Sequence, residues 1–327
     1  MDSSSAFTPE IDKQSESFER ELRPRNFNEF LGQKSLLEPL EVMIKAAEKR
    51  KEPLEHVLLT GSPGLGKTSL GLALAEELQV PLKLTSGPAL ERAKDLVGIL
   101  SQLEPHTLLF IDEIHRIPKN VEEYLYGAME RFELEFTLDQ GVNARLLKLD
   151  IQPFTLIGAT TREALLSAPF RSRFGHIARF QPYSTASLFQ ILKRNAARLN
   201  LEAERKALEK ISEVSRGIPR ISNRLLRRAR DVAQCETNNI LNQDAVNRML
   251  ELLNIDEHGM EETDRRLLNA IANVKGRPIG LKTLAVATEE SEDTIEEVIE
   301  PWLIRQGLIA KTPQGRVLTE AGIAFLA

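Results

Sequence analysis

The sequence predicts three successive folds: an α/β domain built on a parallel sheet, a small all-helical domain and a C-terminal winged-helix domain. Three observations carry that reading. Between about residues 54 and 180, short apolar runs (HVLLT at 56–60, TLLFI at 107–111, FTLIGA at 154–159) alternate with helical stretches such as KTSLGLALAEEL at 67–78. That alternation belongs to a parallel sheet covered on both faces. From about 184 to 254 only helical spacing appears, as in LFQILKRNAARL at 188–199 and ISNRLLRRARDVAQ at 221–234, interrupted at Gly217 and Pro219. From 255 the order is a helix (TDRRLLNAIANV, 263–274), a turn at Gly276 and Pro278, and helices over 281–288 and 292–306. Two β-prone runs around Pro313, Gln314 and Gly315 complete a winged-helix pattern. Residues 1–17 are rich in Ser and acids, lack apolar periodicity and are expected to form a flexible leader. The expected domain limits are 18–183, 184–254 and 255–327.

Composition supports globular domains and narrows the setting. The chain has 327 residues, 42% of them hydrophobic and 28% charged, which is enough apolar material for full cores. Its one cysteine, Cys235, leaves no internal disulfide framework and fits a reducing compartment, the cytoplasm. The apolar runs are too short to span a bilayer, so no membrane partner is expected. Against 48 acids stand 43 Lys and Arg, a net charge of −5. That balance argues against coating nucleic acid by bulk charge, and any DNA contact must be local.

The first predicted strand runs into GSPGLGKT at 61–68, a match to G-x-x-x-x-G-K-[ST] that then opens a helix. Gly61, Gly64 and Gly66 let the backbone curl so that its N–H groups face a phosphate chain, and the helix N-terminus adds a favourable dipole. Lys67 is placed to reach the β- and γ-phosphates and Thr68 to hold Mg²⁺, with Ser69 in the same turn. LLFIDEIH at 108–115 follows about 45 residues later. Its four apolar residues bury a strand, and Asp112 emerges at the carboxyl end, where open parallel sheets bind ligands. Asp112 is expected to hold Mg²⁺ through water, and Glu113 to orient and polarise an attacking water. Together these make an ATPase site.

A third apolar strand ends in GATTR at 158–162, which brings Thr160 and Thr161 beside Asp112 if the strands are neighbours. SAPFRSRFG at 167–175 sets Arg171 and Arg173 on an exposed turn, and RGIPR at 216–220 sets Arg220 at a helix start. A planar, permanently charged guanidinium suits γ-phosphate recognition, although arginines on loops are commonly just solvated. The five histidines show no metal-ligand spacing.

In order, GSPGLGKT, LLFIDEIH, GATTR, RSRF and GIPR resemble the AAA+ ATPases. Longer phrases narrow this further: LRP at 22–24, TSGP at 85–88, DEIHR at 112–116, FTLIGATTR at 154–162, LLSAPFRSRFG at 165–175 and PRISNRLLRRARD at 219–231. These resemble the RuvB family of bacterial Holliday-junction branch-migration motors over about residues 18–327. The resemblance implies an α/β P-loop AAA+ ATPase domain, a helical lid and a winged-helix DNA-binding domain, with ATP and Mg²⁺ as cofactors. It implies nucleotide contacts at Leu22, Arg23, Gly64, Lys67, Thr68, Ser69, Glu130, Arg131, Phe132, Tyr183 and Arg220. Thr161 would be the first sensor and Arg220 the second. Arg173 would be an arginine finger reaching the nucleotide of a neighbouring subunit, in a homohexameric ring. Ser62 departs from the proline more usual in this phosphate loop, a change its backbone can absorb.

Between the second and third strands lies FELEFTLDQGVNARLLKLD at 132–150, whose alternating apolar residues and turn at 139–141 predict a β-hairpin. On sequence alone a routine solvent-washed hairpin is as good a reading. The resemblance implies that it docks a RuvA-like junction-binding protein, and that duplex arms of a four-way junction and a RuvC-like resolvase are further partners. The third winged-helix segment, EESEDTIEEVIE at 289–300, carries seven acids and no base, which argues against reading a major groove. Lys311 and Arg316, flanking the wing turn, are the expected contacts to the DNA backbone. Gln314 stands where the family often has arginine. The six arginines from Arg216 to Arg230, Arg220 apart, read as intersubunit pairs or a solvated helix face. Two rival readings differ in class. A non-motor AAA+ switch would need a basic third helix, and a protein-remodelling ring would need an aromatic pore loop.

Overall fold

A computed structural model describes Phe18, residues 21–137 and residues 146–326. The expected leader and the turn of the 132–150 hairpin lie outside the described residues. The chain divides into two compact units: Arg23–Gly61 with Leu65–Gln181, and the residues up to Leu22 with Ser62–Gly64 and everything from Pro182 onward.

The first unit is built on a five-stranded parallel sheet of β1 (Val57–Thr60), β2 (Leu82–Ser86), β3 (Leu108–Asp112), β6 (Thr155–Thr160) and β7 (His176–Arg179). Their spatial order is β2-β3-β6-β1-β7. Between β3 and β6 in sequence, β4 (Glu133–Thr137) and β5 (Leu146–Asp150) pair antiparallel, with Leu134 opposite Leu149. The central strands are mainly apolar, with threonines or Asp112 at their ends, because both their faces are covered: every residue of β1 and β6 is buried. Register puts Thr60 opposite Thr160 and Ile111 opposite Gly158, so the carboxyl ends of β1, β6 and β3 finish level with one another. Helices Lys67–Leu78, Ala93–Leu100 and Lys119–Arg131 connect the strands. The core is aliphatic with an aromatic group of Phe154, Phe170 and Phe174.

One buried polar group ties β6 to the helix that precedes the hairpin. The Leu156 amide donates to His56 Nδ1 at 2.9 Å, so the ring's Nε2–H donates to the Met129 carbonyl at 3.0 Å. Burial lowers the His56 pKa, against the raising influence of the Met129 carbonyl and Glu55. The unfolded chain therefore takes up a proton that the folded one resists, and stability rises with pH there. We expect the contribution to be full above about pH 6.5 and lost as pH falls below it. A His56→Phe variant should show a smaller drop in denaturant midpoint between about pH 7.5 and 5 than the parent chain.

In the second unit, helices Thr185–Arg198, Arg205–Val214, Pro219–Glu236 and Gln243–Leu252 enclose one apolar cluster that includes Leu192, Ile211, Leu225 and Val246. A separate cluster around Leu267, Leu284, Ile299 and Trp302 belongs to the last segment. There, helices Glu262–Asn273 and Leu281–Thr288 are followed by a third helix that runs from Glu292 to Arg305 through a π turn at Ile295–Ile299. The wing follows as β10 (Ile309–Thr312) and β11 (Gly315–Leu318) once β8 (Glu202–Ala203) and β9 (Ile240–Leu241) are counted, and a short helix Glu320–Leu326 ends the described chain. The arginine series is divided: Arg224 and Arg228 keep about half of their side chains exposed, whereas Arg216, Arg227 and Arg230 are covered within the unit. Arg216 is nearly buried, pairs twice with Asp264 at 2.6 and 3.2 Å, and lies 4.2 Å over the Trp302 ring. Arg224 pairs with Glu261, and Arg227 and Arg230 cover Phe18. No helix among the described residues is long and apolar enough to cross a membrane.

Candidate functional site

The loop after β1 has the shape its glycines require. Gly64 and Gly66 have φ of +78° and +103°, in the left-handed region where a side chain is strained. Gly66 caps helix Lys67–Leu78, and the Lys67 ammonium, nearly buried, donates to the Gly61 carbonyl at 2.7 Å across the loop mouth. Thr68 Oγ1 points at Asp112 Oδ2, 3.4 Å away. A hydroxyl and a carboxylate side by side are the hard oxygen donors that suit Mg²⁺, which keeps several waters of its own. The two residues therefore fit the ion. Ser69 is half-buried in the same helical turn.

Asp112 ends β3, and Glu113 turns sharply out of it with a left-handed φ of +45°. That backbone is accommodated at Gly87, where a Cβ would stand 2.3 Å from the Glu113 carbonyl oxygen. The Glu113 carboxylate is one-third exposed, and its Oε2 accepts from Thr161 Oγ1 at 3.3 Å. The same oxygen lies 3.2 Å from His115 Nδ1, which is also 2.9 Å from Thr160 Oγ1. One carboxylate oxygen is thus tied back to β6 and to His115. Sequence reasoning missed His115, since its position three residues after Asp112 carries no ligand spacing. Only the one-turn fold of Ile114–Arg116 swings the ring to Glu113.

Arg173 lies on a turn that exposes Ala168, Pro169 and Ser172. Its side chain is one-fifth exposed and folds back: Nη1 donates to the Pro169 carbonyl at 2.6 Å, Nη2 pairs with Glu130 at 3.1 Å, and the guanidinium sits 4.2 Å from the Tyr126 ring centroid. Glu130, Arg131 and Phe132 end helix Lys119–Arg131. Glu130 faces Arg173, Arg131 lies 3.7 and 3.6 Å from the hairpin's Glu133 and Glu135, and Phe132 stacks edge-on to Phe154. Burial and the Glu122 carboxylate raise the pKa of the Tyr126 hydroxyl above the usual phenol value. On the hairpin, Lys148 pairs with Glu133 and Glu135 at 3.3 and 3.1 Å, Leu134 is buried, and Leu149 is partly exposed. The described part of the expected hairpin is a salt-bridged antiparallel strand pair.

Of the remaining expected nucleotide residues, Arg23 is half-buried in the first unit. The second unit holds the others. Leu22 is buried and its carbonyl accepts from Arg194 at 3.1 Å. The Tyr183 amide donates to the Gly217 carbonyl at 2.8 Å, and the Arg220 amide to the Gly64 carbonyl at 3.3 Å.

The wing departs from its sequence expectation at one of two cations. Lys311 and Arg316 are directly opposed across β10 and β11, so they share a face, and that face turns toward the acidic third helix. Arg316 is buried with Glu300, paired at 2.5 and 3.0 Å, and meets Glu296 at 3.1 Å. These partners hold the Arg316 guanidinium above its ordinary range, with Glu300 the largest influence. Lys311 keeps half its side chain exposed while pairing with Glu296 at 3.0 Å. Glu296 and Glu300 are thus counterions of the wing, which explains part of the acidic run. Truncating Arg316 to alanine leaves the buried Glu300 only the Lys311 ammonium, 3.7 Å away, and should cost up to roughly 3 kcal/mol, the lower end for a broken buried pair. Replacing the pair together (Arg316→Met with Glu300→Leu) should recover most of it, read as denaturant midpoints.

A five-stranded parallel sheet with a phosphate loop, followed by a helical lid and a winged helix, defines a P-loop protein of the AAA+ class. Three family models match in turn: the P-loop domain of the Holliday junction DNA helicase RuvB over 22–180, the RuvB AAA lid domain over 183–256 and the RuvB C-terminal winged helix domain over 257–327. The chain belongs to the RuvB family. It is 49% identical over 309 residues to the Holliday junction branch migration complex subunit RuvB of Flavobacterium johnsoniae, covering 94% of this chain and 91% of that one. The subunit of the same name from Bdellovibrio bacteriovorus is 47% identical, with 93% of each chain covered. The solved structure of the Thermotoga maritima RuvB Holliday junction branch migration motor is similar with a TM-score of 0.86 and 45% identity, over 94% of this chain and 98% of that one.

Proposed function

We propose that the chain is the ATP-hydrolysing motor subunit that drives branch migration of Holliday junctions in DNA recombination and repair. The observation that carries this reading is the carboxyl edge of the sheet in a RuvB-family chain, where Lys67, Thr68, Asp112, Glu113 and Thr161 converge. ATP is the substrate. Lys67 offsets charge on its β- and γ-phosphates, and backbone amides of the loop through Gly64 cradle them. Thr68 and Asp112 would hold Mg²⁺, which neutralises the phosphate oxygens when bound. Glu113 orients the attacking water with the carboxylate oxygen that Thr161 and His115 leave open, and Thr161 senses the γ-phosphate. Leu22, Arg23, Ser69, Glu130, Arg131, Phe132, Tyr183 and Arg220 serve as nucleotide contacts, Arg220 as the second sensor.

Arg173 completes the site of a neighbouring subunit, which requires an assembly of subunits, here a homohexameric ring around duplex DNA. The domains behind this division of labour are 18–183, 184–254 and 255–327, and the working compartment is the cytoplasm. Lys311 meets the DNA backbone as it stands, and Arg316 joins by exchanging Glu296 for a phosphate oxygen while keeping Glu300. Such contacts carry no sequence information and permit movement along the duplex. The hairpin at 132–150 docks a RuvA-like protein on the four-way junction, and a RuvC-like resolvase acts on the same substrate.

The test is ATP-dependent conversion of a synthetic four-way junction into duplex products, with and without a RuvA-type protein. Dissociation by this chain supports the motor reading. ATP hydrolysis and DNA binding with the junction left intact, even with the partner present, overturn it in favour of a non-motor switch.

A further inference from the structure

Arg173 rests on a prepared seat. Its guanidinium carbon is 4.2 Å from the centroid of the Tyr126 ring, within range of a cation–π contact. The ring itself is pinned at its far end. The Tyr126 hydroxyl bonds to the Glu122 carboxylate and lies 3.1 Å from Ser167 Oγ, which donates to the same Glu122 oxygen at 2.6 Å. Glu122 is buried, and Phe170 packs against the tyrosine at 5.8 Å between ring centroids. Ser167 also accepts from the Phe170 amide at 3.2 Å and so caps the turn Ala168–Arg171 that leads into Arg173. The turn that carries the arginine and the ring beneath it therefore share one anchor.

We propose that Tyr126 is a positioning residue for Arg173, its ring the platform that holds the guanidinium ready for the γ-phosphate of a neighbouring subunit. The proposal rests on the reading of Arg173 as an arginine acting in trans. A free arginine samples many rotamers and loses that freedom when it engages a phosphate. A flat aromatic face removes much of the freedom beforehand, and the N–H donors at the guanidinium edge, held here by Glu130 and the Pro169 carbonyl, exchange those partners for the phosphate. Tyr126 touches no nucleotide of its own subunit in this role. Its loss should lower turnover without altering nucleotide binding.

The experiment compares Tyr126→Leu, Tyr126→Phe and Arg173→Ala rings with the parent. Tyr126→Leu should lower kcat about tenfold, with nucleotide affinity and KM unchanged. Tyr126→Phe keeps the ring and should stay within about threefold of the parent. Rings mixed from Tyr126→Leu and Glu113→Gln subunits provide a readout that a merely structural defect does not move. The second subunit is inactive in its own site but offers an intact Arg173 on an intact platform. Turnover in the mixture should exceed the sum of the two separate preparations. Absence of that rescue, or a Phe variant as damaged as the Leu variant, overturns the platform. If Arg173→Ala is itself unimpaired, the in-trans reading fails. If it is inactive while Tyr126→Leu turns over normally, only the platform fails.

Discussion

Arg173→Ala is expected to bind ATP as the parent does and to hydrolyse it roughly 10³–10⁵-fold more slowly, the range such arginines contribute in other nucleotide hydrolases. The side chain lies with Glu130, Pro169 and Tyr126, and no contact links it to Lys67, Thr68 or Asp112 among those described. Binding in the subunit's own site depends on the loop and on Lys67, which the substitution leaves alone. Charge stabilisation in the transition state depends on a guanidinium brought in from next door. Two measurements separate these: equilibrium binding of a fluorescent ATP analogue, and steady-state turnover at saturating ATP. The parent's specific activity should also rise steeply with protein concentration, because a lone subunit lacks the arginine, whereas that of the variant should stay flat. Near-normal turnover by Arg173→Ala would remove the assignment.

The sheet was legible at its centre and not at its edges, for a physical reason. β1, β3 and β6 lie inside the sheet, so both their faces and both their edges are covered, and their sequences are continuous apolar runs. β2 and β7 are the two edge strands. LKLTS is mostly exposed or half-buried and HIAR has a single buried residue, so neither announces itself by apolar character. The candidate site was legible where a motif fixes backbone shape, as at Gly64, Gly66, Lys67 and Asp112. It was not legible where function depends on what a side chain meets. Nothing in the spacing reveals that His115 turns onto Glu113, or that Arg173 lies on a tyrosine 47 positions earlier in the chain. Net charge alone hides that carboxylates of the acidic run at 289–300, Glu290, Glu296 and Glu300 among them, already have partners. Only the cross-strand register of Lys311 and Arg316 shows that both face Glu296 and Glu300.

Glu113→Gln should leave ATP bound and cut hydrolysis by roughly 10²–10⁴, the usual weight of one proton-transferring group. The substitution is informative because it is nearly isosteric. A glutamine oxygen can still accept from Thr161 Oγ1 and from His115 Nδ1–H, the two contacts now made by Oε2. The carboxamide therefore keeps the geometry of the turn after β3 and removes only the charge and the basicity. If Glu113 served to hold the left-handed turn, the glutamine would be harmless and alanine harmful. If it draws a proton from water, the two variants should be similarly slow, while the thermal stability of Glu113→Gln stays close to that of the parent. Because ATP stays in place, the variant should also remain in whatever assembly ATP favours. Turnover by Glu113→Gln within about tenfold of the parent would mean that water is activated elsewhere. His115, whose imidazole lies beside that carboxylate, would then be the first to replace.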